Sequence, residues 1–365
     1  MGQVDDQRED WMKGRWMGPM VSYEQWIEDK LYHPKNGYYM TKKEKIGKRA
    51  DFYTAAEFFP IFATLMANYF IQKVEENRLP PIFCEIGSGT GKFMVHFVTH
   101  CKKRAPHFFK DFQYISVEKS PYHRQLQRSL VQDDQVLILE DLEHLEPFEG
   151  MMFMNEFFDA LPVHVIEKRG NTIFEIWVSS EGGKVSEQKL PLQNERIIRY
   201  LKRFPNFTIQ DGHRVEIPLR MEEMYRKLAE RLKRGYMIII DYGYTFFELN
   251  RANLKNGSLR AYRNHRLIKL PSVMNDIDIT SHIHFDALME WGRELGLQTV
   301  EFLTQREFLI KIGIFDALVD HEDRTPFSKR WKRNAALRSL ISEEGMGELF
   351  HVIVQKKTGM RMLDV

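Results

Sequence analysis

The chain has 365 residues, of which 43% are hydrophobic and 28% charged, and carries a formal net charge of +2. That length holds one large domain with insertions or two domains, and the composition is ordinary for a soluble globular protein. The near-balanced charge gives no electrostatic case for nucleic acid or an acidic membrane surface, and no apolar run approaches the ~20 residues that span a bilayer. The acidic start MGQVDDQRED lacks both the apolar core of a secretory signal and the basic character of a transit peptide. Asp6 stands where a myristoylation signal after Gly2 needs Ser or Thr. Cys84 and Cys101, both in apolar surroundings, read as reduced, buried thiols of a cytoplasmic protein rather than a disulfide or metal ligands.

Pro19 and Ser22 open a helical pattern through Tyr23, Trp26, Ile27 and Leu31. Pro34, Asn36 and Gly37 within LYHPKNGYYM then mark a turn. In ADFYTAAEFFPIFATLMANYF, Thr54 has the position of an N-cap and Glu57 completes a capping box. Phe58, Ile61, Phe62, Leu65 and Tyr69 follow on one helical face. Packing is the expected role of that helix, while the loop over Asp51 to Thr54 stays open as part of a ligand site.

The segment PIFCEIGSGTG (Pro81 to Gly91) reads as a buried strand, a tight glycine turn and the start of a helix continued by Phe93, Met94 and Phe97. Glycines let backbone approach a ligand closely. A dinucleotide fingerprint would need its third glycine at position 92, which is Lys92; the glycines are Gly87, Gly89 and Gly91. Glu85 ahead of them suits a cofactor bearing a sulfonium and an ammonium better than a pyrophosphate.

A second strand, Gln113 to Val117, ends at Glu118, where a carboxylate can accept both ribose hydroxyls; the alternative is a surface acid ahead of a helix at Pro121. A third strand, Val136 to Leu139, ends at Glu140 and Asp141, either acceptors for an adenine amino group or solvated turn residues. A fourth, MMFM, runs into NEFFDALPV. Asn155, Glu156 and Asp159 therefore stand at the carboxyl end of a buried strand, where open α/β sheets bind ligands. Two acids there can orient and partly neutralise a cationic acceptor. A guanidinium, with a pKa above about 12, must shed a proton near methyl transfer, and paired carboxylates assist. Capping of a helix by Asn155 or Asp159 is the plainer alternative.

From Ile166 to about Arg220, the alternation in TIFEIWV and the SSEGGK turn predict a β hairpin, with a short helix near Arg196 to Phe204. Met221 to Leu232 reads as a helix closed by Gly235. YMIIIDYGY gives a fifth buried strand, with Asp241, Tyr242 and Gly243 at its end. A second insertion carries SLRAYRNH and DIDITSHIHF, where His282 and His284 share a face if the segment is a strand; no third ligand has the spacing of a metal site. Helix Phe285 to Leu295, strand Gln298 to Phe302, a helical QREFLIKIGIFDAL and a last strand in ELFHVIVQK complete the order. The basic run Lys329 to Arg333 around Trp331 reads as a solvated helix face. With no repeat or linker, one interrupted α/β domain is expected.

Taken together, LYHPKNGYY, DFYT, EIGSGTGKFM, NEFFDALPV, IIIDYGY, LRAYRNH, DITSHIHFDAL, FLIKIGI and GMGELFHVIV resemble the MidA family of S-adenosylmethionine (SAM) methyltransferases. The glycine turn is similar to motif I of the class I enzymes. The resemblance implies a class I methyltransferase fold, α/β and Rossmann-like, with a mostly parallel sheet. It implies an N-terminal helical extension or lid over 1–80, a SAM-binding core over 81–165 and 221–357, an inserted α+β element over 166–220, an acceptor-side insertion over 245–284 and a tail over 358–365. SAM is the implied cofactor, held by Gly87, Gly89, Gly91 and Glu118, with Glu85, Asp141, Tyr53 and Thr54 as further candidates. Asn155, Glu156 and Asp159 are the implied catalytic residues, joined by Asp241 and His282. The implied activity is methylation of an arginine nitrogen of a protein by a monomer or homodimer. A small-molecule N- or O-methyltransferase and a non-catalytic assembly factor are the alternatives. The chain departs from the family at Ala50 (usually Gly), at Ser88 (usually Pro), at His284 (usually Asp) and over RLIKLPSVMND; the last two fall in the insertion expected to face the acceptor.

Overall fold

Short runs of β-branched, aromatic and methionine side chains bounded by acids or glycine become the strands of a central sheet. A computed structural model describes residues 20–42, 60–131, 133–181, 184–249, 254–263, 266–272, 275–317 and 349–359, with Leu337 and Ile341. Tyr53, Thr54, Glu57, Ala50 and the basic run 329–333 lie outside the described residues. Two compact units form where one interrupted domain was expected. The first takes the described residues within 1–43, 158–224 and 244–288, the second those within 44–157, 225–243 and 289–365.

In the second unit the strands are β1 (Ile82–Ile86), β2 (Gln113–Val117), β3 (Val136–Leu139), β4 (Phe148–Asn155), β5 (Leu232–Tyr244), β6 (Leu297–Thr304) and β7 (Phe350–Lys357). Their order across the sheet is β3-β2-β1-β4-β5-β7-β6. β1, β2, β3, β4 and β5 pair in parallel, and β7 is antiparallel to both β5 and β6. This is the expected Rossmann-like, mostly parallel sheet. The order reverses between β1 and β4, and such a switch point leaves a crevice at the carboxyl ends of the strands. The register brings those ends level: Ile86 pairs with Val117 and Met154, Val117 with Leu139, and Asn155 with Ile240. Gly87, Glu118 and Asn155 therefore stand level, with Glu156 and Asp241 one residue beyond.

Helices α1 (Pro60–Asn77), α2 (Lys92–Arg104) and α3 (Pro121–Leu130) belong to this unit. Phe62, Leu65 and Phe70 of α1 are buried in its core, so the expectation of packing holds for that helix. Phe83 lies 4.0 Å from Phe97 and 5.4 Å from Phe70 between ring centroids. Each such ring removed from water contributes about 2 kcal/mol, which fixes the floor beneath the glycine turn. Gly235 does not close a helix. Helix Leu219–Arg231 ends first, and Gly235 lies inside β5 at φ +132°, where a Cβ would overlap Gly150 of β4.

In the first unit the predicted hairpin is present: Thr172–Glu181 pairs antiparallel with Lys184–Pro191, Glu181 opposite Lys184. Val21–Ser22 and His164–Arg169 also pair with Thr172–Glu181, and Arg214–Ile217 pairs with His164–Arg169. Ser22 caps helix Tyr23–Tyr32 in a capping box with Gln25, and Trp26, Leu31, Ile176 and Val178 share its core. Helix Glu195–Arg203 follows, capped by Asn194.

Candidate active site

The three glycines of the turn all adopt left-handed backbone, with φ of +72° at Gly87, +55° at Gly89 and +82° at Gly91. Side chains rarely tolerate that region. A Cβ on Gly87 would stand 2.8 Å from the Phe157 ring, and one on Gly91 2.7 Å from Cγ of Gln127. Neither position has room for a side chain. Gly91 also N-caps α2, so the turn delivers the helix N-terminus to the switch point.

Side chains from the β2–α3 segment hold both polar groups of the Gly89 backbone. Its N–H donates to Oε2 of Glu118 at 2.7 Å, and its carbonyl accepts from Nε2 of Gln127 at 2.7 Å. Nε2 of Gln127 also donates to Oγ of Ser88 at 2.9 Å, and Oγ of Ser116 donates to Oε1 of Gln127 at 2.6 Å. Ser88, standing where the family's proline was expected, is thus buried in a polar network. Sequence reasoning missed Ser116 and Gln127.

Glu118 follows β2 directly. Its Oε1 accepts from the Ser120 N–H at 2.8 Å and lies 3.7 Å from Nδ1 of His123. A carboxylate offers about four acceptor positions, so its bonds to Gly89 and Ser120 leave capacity for a vicinal diol. Arg124 donates through Nη1 to the carbonyls of Glu118 and Lys119 and pairs through Nη2 with Glu140 at 3.2 Å. Asp141 caps the short turn Leu142–His144 through Oδ1, and its side chain stays 46% exposed. Glu85, inside β1, is buried and accepts from the Tyr114 hydroxyl at 2.5 Å. Burial first, and then the neighbouring Glu85, push that phenol well above its usual pKa.

Asn155 ends β4, and its Nδ2 donates to Oε1 of Glu156 at 3.1 Å. Glu156 adopts φ +50°, and its N–H donates to the Ile240 carbonyl at 2.9 Å. A left-handed glutamate persists only where its surroundings impose it, and such residues concentrate at functional sites. Phe157 then lays its ring against Gly87. Asp241, fully buried in β5 next to Ile240, accepts from the Tyr242 N–H at 2.9 Å. The turn, Asn155, Glu156 and Asp241 thus converge at the carboxyl edge of adjacent strands.

The chain passes into the first unit after Phe157. There Asp159 is buried, and its carbonyl accepts from the Ser281 N–H at 3.0 Å. Tyr39 and Tyr32 of the LYHPKNGYY segment stack at 5.5 Å; the Tyr39 hydroxyl donates to Asp278 and that of Tyr32 to the Ala160 carbonyl. His282 packs 4.7 Å from the Tyr244 ring, and burial, with the Arg260 charge, lowers its pKa to about 4. His284, placed in the insertion expected to face the acceptor, is buried in the first unit. It is bonded through Nδ1 to the Tyr200 hydroxyl at 2.7 Å and ringed by Phe207 and Phe246. The two histidines do not share one strand: His284 belongs to strand Ile283–His284, and His282 lies between it and strand Asp278–Thr280. Among the described residues no group of three His, Cys, Asp or Glu is placed to hold a metal, and no helix is long and apolar enough to cross a membrane.

Comparison with known proteins decides the family. The model of the S-adenosyl-L-methionine-dependent methyltransferase family Methyltransf_28, which is MidA-like, matches residues 65–303. The chain belongs to this family. Protein arginine methyltransferase NDUFAF7, mitochondrial, of Rattus norvegicus is 24% identical over 92% of this chain and 80% of its own. Its Drosophila melanogaster homolog is 25% identical over 73% of this chain and 65% of its own. A Burkholderia thailandensis protein assigned as a methyl transferase, solved with S-adenosyl-homocysteine bound, superposes with a TM-score of 0.85. It is 28% identical, over 98% of this chain and 95% of that one. This methyltransferase uses SAM, and the bare glycine turn with the acceptor capacity of Glu118 fits that group.

Proposed function

We propose that this SAM-dependent enzyme methylates an arginine nitrogen of a protein substrate. Gly87, Gly89 and Gly91 would hold the cofactor by backbone, Glu118 its ribose, and Asp141 the adenine side. Bound there, SAM supplies a methyl group made electrophilic by its sulfonium. The observation that carries the acceptor side is Glu156, a buried-edge carboxylate in strained backbone, braced by Asn155 and one strand from the glycine turn. Its charge attracts a guanidinium, and its oxygen can take the proton that leaves as nitrogen becomes a nucleophile. Fixing that geometry beforehand supplies most of the rate advantage such a site can offer. Asn155 orients the Glu156 carboxylate, and Asp241 adds negative charge beside it. The relatives named as protein arginine methyltransferases support the same acceptor.

Purified enzyme with methyl-labelled SAM and a cell lysate tests the reading. A labelled protein band yielding methylarginine on hydrolysis is expected. Label confined to small molecules, or none, refutes it. The Glu156→Ala protein is expected to bind S-adenosyl-homocysteine as the parent does and to lose labelling.

A further inference from the structure

Helix α3 inverts the usual rule for a helix packed on a sheet. Its buried side chains are His123, Arg124 and Gln127, while Leu130 at its end is 49% exposed. Buried polar groups cost free energy unless bonded, and between them the three reach the ends of β1, β2 and β3. His123 lies beside Glu118, Arg124 reaches the Glu118 carbonyl and Glu140, and Gln127 reaches Ser88, Gly89 and Ser116. Gln127 is fully buried and spends its amide wholly on this contact. Its stem also closes the space beside Gly91.

We propose that Gln127 is a positioning residue for the cofactor turn, doing with hydrogen bonds what the proline expected at position 88 does by fixing φ. Ser88 leaves the backbone between Gly87 and Gly89 free to rotate; a proline there would restrict it covalently. In this chain the Gln127 amide grips the Ser88 hydroxyl and the Gly89 carbonyl, and Glu118 grips the Gly89 N–H. The turn is preorganised from α3, and preorganisation lowers the ordering cost of binding. Gln127 touches no reacting atom; it acts through the backbone that does.

The inference rests on the assignment of the glycine turn to the cofactor, and titration calorimetry with S-adenosyl-homocysteine separates the two. If the parent protein binds and Gly89→Val does too, the turn is not the site. For Gln127→Leu, which keeps volume and removes the amide, at least tenfold weaker binding is expected. Adding Ser88→Pro to Gln127→Leu should restore affinity to within threefold of the parent, because proline supplies the lost restriction. Loss of packing alone would lower the melting temperature without any such rescue. Gln127→Leu binding as tightly as the parent, or a double variant no better than the single one, overturns the proposal. Should Gln127→Leu fail to fold, Ser116→Ala decides: it frees one end of the amide, and affinity unchanged within experimental error refutes the role.

Discussion

Replacing Glu156 by glycine and by alanine isolates the backbone strain stored at the proposed acceptor side. Both variants lose the carboxylate and its bond from Asn155 equally, so their difference reports the backbone. At an ordinary φ, glycine is less stable than alanine by about 0.4–1 kcal/mol, because its unfolded chain is freer. At φ +50° alanine pays about 1–2 kcal/mol that glycine does not. The balance favours Glu156→Gly over Glu156→Ala by roughly 0.5–1 kcal/mol, or about 1 °C in melting temperature for a chain of this size. Differential scanning calorimetry of the two proteins reads the sign directly. Neither should transfer label to protein, whereas S-adenosyl-homocysteine binding should persist in both. A glycine variant less stable than the alanine variant would show that Glu156 is not held in left-handed backbone, and the preorganised acceptor site would fail with it.

Gly87→Ala places a methyl group 2.8 Å from the Phe157 ring at φ +72°, so a loss of about 2–3 kcal/mol is expected, with tenfold or weaker cofactor binding. Phe157→Ala in the same chain should recover part of the stability; additive losses would refute the contact. In the first unit, burial opposes charge on His164, but its bonds to the Glu175 carboxylate at 2.8 Å and the Glu24 carboxylate at 3.1 Å prevail and hold its pKa at about 9. A raised folded pKa stabilises fully below the unfolded value near 6.5 and is lost as pH rises through about 9, a change on the order of 3 kcal/mol. Urea unfolding of the parent should therefore show falling stability from pH 6.5 to 9.5, and His164→Gln should flatten that slope; parallel profiles would refute the pairing.

The strands were legible because each is a short apolar run stopped by an acid or glycine. Gln113–Val117 and Val136–Leu139 match the expected bounds, and Glu118 stands at its strand end as read. Gln127 was not legible, since a polar stripe on a short helix looks like a solvated face until it is seen turned inward against a polar turn. The backbone of Glu156 was hidden for a different reason: glycine advertises left-handed φ, whereas a glutamate in that region is imposed from outside. Gly235 misled because the same residue type serves a helix end and the close approach of two strands. His284 was read by its place in an insertion, but the rings of Phe207 and Phe246 decide its burial, and they come from distant chain.

The burial of both thiols gives the second unit a built-in reporter. Cys84 and Cys101 have no solvent exposure, and desolvation pushes both far above the usual thiol pKa. Alkylating reagents act on thiolate, which neither side chain offers while the core is closed. The pace of iodoacetamide labelling therefore times the opening of the sheet that carries the glycine turn, and bound nucleoside should slow that clock in proportion to its occupancy.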